Sequence, residues 1–149
     1  MADARTVANW FIRRASLDGV MLSRVKLCKM VCIAHAYCLN ETGSRLFKNK
    51  LEAWTRGPMV PDVLHALEPE DAFIKDGIPG FFADTLMSED VAVLEAVWSQ
   101  ASDSSSKDYY EFITCLDGVS ELHKKTFGVF SVISDDTLLG AIKNCKDQT

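Results

Sequence analysis

Hydrophobic and polar positions recur along much of this chain at helical spacing. Val7, Trp10, Phe11 and Ala15 fall near i, i+3, i+4 and i+8 and predict an amphipathic helix over 6–16, with Arg13 and Arg14 toward its negative C-terminal end and Gly19 as its stop. Ser23 suits the N-cap of a longer helix over 24–40, whose Leu27, Val31, Ala34 and Cys38 share one angular sector and mark it as the central core helix. Asn40 and Gly43 close it. Leu46-Phe47 and the run from Lys50 to Thr55 are expected to pair as a two-stranded ribbon, which needs helix packing because an isolated hairpin is marginal in water. A short helix near 61–68 follows.

The pattern weakens from Glu68 to Met87, where Pro69, Gly77, Pro79 and Gly80 punctuate a stretch that still carries Phe73, Ile74, Ile78, Phe81 and Phe82. It reads as an irregular but anchored connection. Ser88 is expected to cap the next helix, with Glu89 and Asp90 in its first turn and Val91, Leu94, Val97 or Trp98, and Ala101 inward. Ser102 to Ser106 is a polar break, Asp108 to Leu116 another helix, and Ser134 the cap of a last helix. Leu138, Leu139, Ile142 and Cys145 form its apolar stripe, with Lys143 and Lys146 near its end. The expected fold is mainly α: one compact helical bundle spanning 1–149 as a single domain, with a small two-stranded β-ribbon.

Composition narrows the class. A chain of 149 residues with 48% hydrophobic content suits one globular core. No stretch approaches the ~20 apolar residues of a bilayer span, and Met1-Ala2-Asp3-Ala4-Arg5 lacks the apolar run of a secretory signal, so a cytoplasmic location and no membrane partner are expected. Five cysteines at irregular spacing fit reduced thiols better than a disulfide framework. The net charge of −5 is unevenly spread: residues 1–60 hold 10 Lys and Arg against 4 Asp and Glu, and residues 61–149 hold 6 against 17. An acidic second half repels phosphate backbones, which argues against a nucleic-acid partner. The charges either scatter on solvated faces, or pair between the two halves, or steer an oppositely charged protein.

The run from Phe47 to Pro61 is the most constrained. Leu51, Ala53 and Trp54 suit a short half-buried strand, and Gly57-Pro58 breaks it because Pro58 has no N–H and fixes its own φ. Pro61 suits a first helical position, with Asp62 beside the positive helix end. One reading is architectural, with Trp54 plugging the core, Gly57-Pro58 setting a turn and Pro61 starting a helix. The other is recognition: Arg56 is a long cation on a proline-stiffened turn, and Met59 adds an adaptable apolar contact. The candidate partner-binding residues are therefore Trp54, Arg56, Gly57, Pro58, Met59 and Pro61.

This segment and the run before it resemble the Panacea domain family of SocA-like, phage-associated antitoxin-like proteins. Lys26-Leu27-Cys28-Lys29-Met30-Val31-Cys32-Ile33-Ala34 stands where members carry a Lys-Leu-Gln-Lys-Leu-Leu-Tyr-Tyr-Ala helix. Gly43, Leu46-Phe47, Glu52-Ala53-Trp54, Gly57-Pro58 and Val60-Pro61 match the glycine, the Leu-Phe step and the Glu-Ala-Trp…Gly-Pro-Val-Val-Pro signature that follow. Val7-Ala8-Asn9-Trp10-Phe11 is similar to the family's first helix. Where many members have Thr-His and then Pro-Trp, this chain has Leu122-His123-Lys124-Lys125-Thr126-Phe127.

Enzymatic and metal readings rest on Cys28, Cys32 and His35. These lie at i, i+4 and i+7 within roughly 60° of the predicted helix. Zinc would need a fourth ligand, from His65 or His123, and a nucleophilic thiol would need a neighbouring imidazole and an oxyanion hole. The alternative is two small buried thiols and a hydrogen-bonded or partly exposed imidazole. The resemblance implies that alternative, since members commonly carry Gln, Tyr and Gln at these positions. No Gly-x-Ser-x-Gly elbow, Walker loop, Gly-x-Gly-x-x-Gly or His-Glu-x-x-His occurs, and Glu52 and Asp62 read as ion-pair or helix-end charges. The resemblance implies an antitoxin without catalytic residues or cofactor. Its partner is a cognate toxin, neutralised by direct protein binding or handed to a protease. The other readings are a phage or mobile-element protein that binds a host component, and a Cys/His-dependent enzyme or zinc protein.

Overall fold

The computed structural model describes residues 1–67, 73–74, 76–102 and 105–147, except for the side chains of 146 and 147. Six helices dominate the described residues. The first, α1 (Ala4–Leu17), begins two residues before the apolar stripe suggests because Asp3 caps it, accepting from the Arg5 N–H at 2.9 Å. After β1 (Leu22–Ser23), α2 (Arg24–Thr42) starts and stops where its sequence signals lie. Ser23 Oγ accepts from the Lys26 N–H at 3.1 Å, and Gly43 ends the helix at φ +74°, a conformation that costs glycine little.

Burial on α2 is wider than one stripe. Leu27, Val31, Ala34 and Cys38 are buried as expected, and so are Met30, Ile33 and Ala36 on the other sides. Such a helix is a core element covered all round. Helices α1, α3 (Pro61–Ala66), α4 (Ser88–Ala101), α5 (Lys107–Phe127) and α6 (Asp135–Asp147) all pack against it.

The ribbon forms, but with other partners. Strand β2 (Leu51–Trp54) turns through Thr55-Arg56 into β3 (Gly57–Met59), and β5 (Val132–Ile133) adds a third antiparallel strand on its other edge. Phe47 does not pair with β2. It makes an isolated parallel bridge to Ala2, and its fully buried ring lies 4.2 Å, centroid to centroid, from that of His35. The core claims Phe47, whereas a two-residue turn leaves β3 the nearest available edge.

The connection before α4 is irregular and anchored. Its β4 (Phe73–Ile74) pairs with β1, and Asn9 clamps Ile78, accepting from its N–H at 2.6 Å and donating to its carbonyl at 2.9 Å. Glu68, Pro69 and residues 103–104 of the expected polar break lie outside the described residues, as does the Lys146 side chain. Two further boundaries differ from the sequence reading. Ser88 is the first helical residue of α4, with Met87 in the cap position and no side-chain cap. Helix α5 continues well past Leu116 to Phe127, because Ser120 and half-buried Val119 keep its inner face against the protein while Gly118 faces open space. Ser134 caps α6, accepting from the Thr137 N–H at 3.2 Å.

The uneven charge resolves into pairing between the halves. Arg13 meets Asp84, Arg14 meets Glu95 and Lys29 meets Asp117, each at 2.6 Å, and Arg45 meets Asp135 at 3.4 Å. The buried apolar side chains form one continuous cluster. Within it Phe11 is fully buried, edge-on to Trp10 at 5.4 Å and tilted on Trp98 at 6.4 Å. Phe11→Ala should therefore lower the unfolding free energy by about 3–5 kcal/mol in a denaturant titration.

Candidate functional site

Alternation along β2 decides what the sheet shows to solvent. Leu51 and Ala53 point into the core, so Glu52 and Trp54 point out. Met59 on β3 and Val132 on β5 both sit opposite Glu52 and share its outward face. Trp54 does not plug the core. It is half-buried, donates from Nε1 to Glu52 Oε1 at 3.0 Å, and lies 6.4 Å from the His65 ring and 5.1 Å, edge-on, from that of Phe130.

Phe130 belongs to the turn that carries the chain from α5 back to the sheet. Its N–H donates to the Ala53 carbonyl at 2.8 Å, and the Ala53 N–H donates to the Ser131 carbonyl at 2.8 Å. Phe130 adopts φ +68°, a left-handed conformation that strains a bulky side chain. Ser131 holds the turn closed: its hydroxyl donates to the Gly128 carbonyl at 2.6 Å and accepts from His123 Nδ1 at 2.8 Å. Phe130 is nonetheless 56% exposed, and Leu122, Phe127, Val129 and Val132 on the same turn and its flanks are exposed too. Of these, Phe130 and Val132 join Trp54 and Met59 on the outward side of the sheet, an apolar face of the kind that marks an interaction site.

The β2–β3 turn is pinned from beneath. Lys29 Nζ donates to Asp117 Oδ1 at 2.6 Å and to the Arg56 carbonyl at 3.4 Å, while Cys32 Sγ donates to the Pro58 carbonyl at 3.5 Å. Gly57 has φ +120°, and a Cβ there would lie 2.5 Å from Asp117 Oδ1. Glycine is what lets the turn sit on the ion pair. Of the residues singled out in the sequence, Gly57 and Pro58 are buried, Trp54, Met59 and Pro61 are half-buried, and Arg56 is exposed with no ion pair among the described residues. The Phe127–Val132 turn was not among them. Its only sequence signal is a helix-stopping glycine flanked closely by two phenylalanines.

The residues considered for chemistry do not converge. Cys28 and Cys32 are buried, and burial pushes the Cys28 thiol up to about 11 and the Cys32 thiol higher still, so both stay protonated. His35 is wholly buried, and its Nε2 lies 3.5 Å from Asp135 Oδ1, too far for a good hydrogen bond. Burial, with the Arg45 cation adding to it and Asp135 opposing, pushes the His35 imidazole down to about 4. Cys32 faces β3 while His35 faces Phe47 and α6, so one helical sector serves different neighbours. His65 lies beside Trp54, and His123 is engaged by Ser131. Among the described residues no group of three or more His, Cys, Asp or Glu could hold a metal ion. Asp62 accepts from Asn49 Nδ2 at 2.7 Å, and Asn49 Oδ1 accepts from the Ala4 N–H, a structural clamp rather than a base.

A core of helices around α2 carries a small sheet whose strand β2 turns Trp54 outward, beside Phe130 of the α5–β5 turn. A family model described as antitoxin SocA-like, Panacea domain, matches residues 27–114, and the chain belongs to that family. The match includes β2, β3 and the first part of α5 and ends before Phe130. No curated protein and no solved structure matches the chain. No helix among the described residues is long and apolar enough to cross a membrane.

Two measurements probe this arrangement. Gly57→Ala should cost roughly 1–3 kcal/mol of stability, read by thermal or denaturant unfolding, from backbone strain and displacement of the Asp117 carboxylate. His35 binds a proton less readily when folded, at about 4 against 6.5 in the unfolded chain, so its contribution to stability is complete above pH 6.5. That contribution is lost as pH falls from 6.5 toward 4, because the unfolded chain then takes up more protons. The melting temperature should decline over this window, and His35→Leu should flatten that part of the decline.

Proposed function

We propose that this protein is an antitoxin that neutralises a cognate toxin by direct binding, acting in the cytoplasm as one module of 1–149, with the outward face of β2, β3 and β5 as the contact surface. The observation that carries the reading is Phe130, an aromatic ring kept largely in solvent by a strained backbone and set edge-on against Trp54 of the family signature. Folding gains little from an aromatic residue held largely in solvent on a strained backbone, whereas a partner that covers the ring gains more. Arg56 and Met59 edge the same face, and Arg56, exposed and without an ion pair among the described residues, supplies a cation for the rim of an interface. Membership of an antitoxin-like family supports a protein partner in general.

The test begins with affinity capture of the tagged chain from its source cells. The captured protein is then expressed alone and with this chain. Growth arrest by the partner, relieved on co-expression, supports the antitoxin reading, and a harmless or host-derived partner overturns it. Loss of relief in cells lacking a protease, with the partner's lifetime lengthened there, would mark delivery for degradation in place of direct inhibition. Phe130→Asp and Arg56→Glu should each weaken capture by about tenfold or more, with unchanged circular dichroism. Retained affinity in a binding titration would show that another surface is used.

A further inference from the structure

Helices α2, α4, α5 and α6 leave between them an open cavity of about 880 Å³, a size typical of small-molecule sites. Aliphatic side chains, Ile33 and Val97 among them, line part of it. Four aromatic side chains, Tyr37, Tyr109, Tyr110 and Phe112, line another part, and polar side chains and two cysteines complete it. Tyr109 and Tyr110 meet edge to face at 6.0 Å, so their π faces point in different directions.

Among the described residues the charge lining this cavity has one sign: Glu41, Asp108 and Glu111 line it, no Lys, Arg or His does, and none of the three carboxylates has an ion pair. Three helices also end there. Glu41 lies in the last turn of α2, Gln100 in that of α4 and Cys145 in that of α6. Final helical carbonyls lack intrahelical partners and concentrate negative partial charge. Neither α2 nor α4 has a basic residue in its last turn to balance it. Helix α5 brings its positive end, but Asp108 in its first turn offsets that.

Carboxylates and helix C-terminal ends draw a cation in, aromatic faces hold it by cation–π attraction, and the apolar wall buries a hydrocarbon or aryl body. We propose that this cavity is a binding site for an organic cation, a protonated or quaternary amine carried on an apolar body. It is distinct from the sheet face. Phe112 in the cavity and His123 beneath the Phe130 turn are separated by roughly 16 Å along α5, at the rise of an α-helix.

The probe is monodansylcadaverine, which joins a protonated amine to an aryl group, titrated into the full chain while its emission is followed. Dansylglycine, with the same aryl group and a carboxylate, is the control. We expect saturable, blue-shifted binding of the cation and roughly tenfold weaker binding of the anion. The double variant Glu41→Gln/Glu111→Gln alters two exposed side chains and should weaken the cation about fivefold or more at unchanged melting temperature. Bound cation should also slow iodoacetamide alkylation of half-exposed Cys145 in the cavity wall. Absence of saturable binding, equal affinity for both probes, unchanged affinity in the double variant, or an unprotected Cys145 would each overturn the proposal.

Discussion

Burial of α2 on every side is the constraint from which the rest of the structure follows. A helix with buried residues all round cannot end at one interface, so five other helices and the strands β1 and β3 assemble around it. Each polar group it carries must then be accommodated inside the protein. Its thiols stay protonated, His35 stays neutral against Phe47, and Lys29 extends its ammonium to Asp117 of α5 and to the turn of the hairpin. That last contact places the hairpin, and the hairpin places the outward aromatic face.

The charge pattern has the same origin. Cations of the first half occupy α1, α2 and the loop after it, the elements nearest the core helix, and acids of the second half close over them. Exposed pairs of this kind add little stability individually. Their consequence is what they leave over: among the described residues, Arg56 beside the sheet and the carboxylates around the α2–α4–α5–α6 cavity have no ion pair. The two surfaces therefore differ in character, one apolar with a cation at its edge, the other aromatic and acidic.

Helix α5 links them. Its first turns line the cavity, its middle carries Asp117 under the β2–β3 turn, and its end leads into the strained turn that lifts Phe130 beside Trp54. Strain at one exposed aromatic is tolerated because four hydrogen bonds, two with Ala53 and two from Ser131 to the Gly128 carbonyl, fix the backbone around it.

The local elements were largely legible in the sequence, because caps and periodicity are short-range properties. Ser23, Gly43, Pro61 and Ser134 mark boundaries through their own backbone and side-chain chemistry, and the resemblance carried by Glu52-Ala53-Trp54 and Gly57-Pro58 led to the family. Pairing and exposure were not legible, since they depend on contacts between distant segments. Nothing near Phe47 says that the core will take its ring, and nothing near Val132 says that it will become the third strand against β2. The outward face joins residues some seventy positions apart, and the cavity exists only where the ends of four helices meet. Sequence alone thus determined most of the helices, the presence of a ribbon but not its partners, and the family, through local energetics. Which side chains were left facing solvent, and beside which neighbours, was decided by the packing of the whole chain around one buried helix.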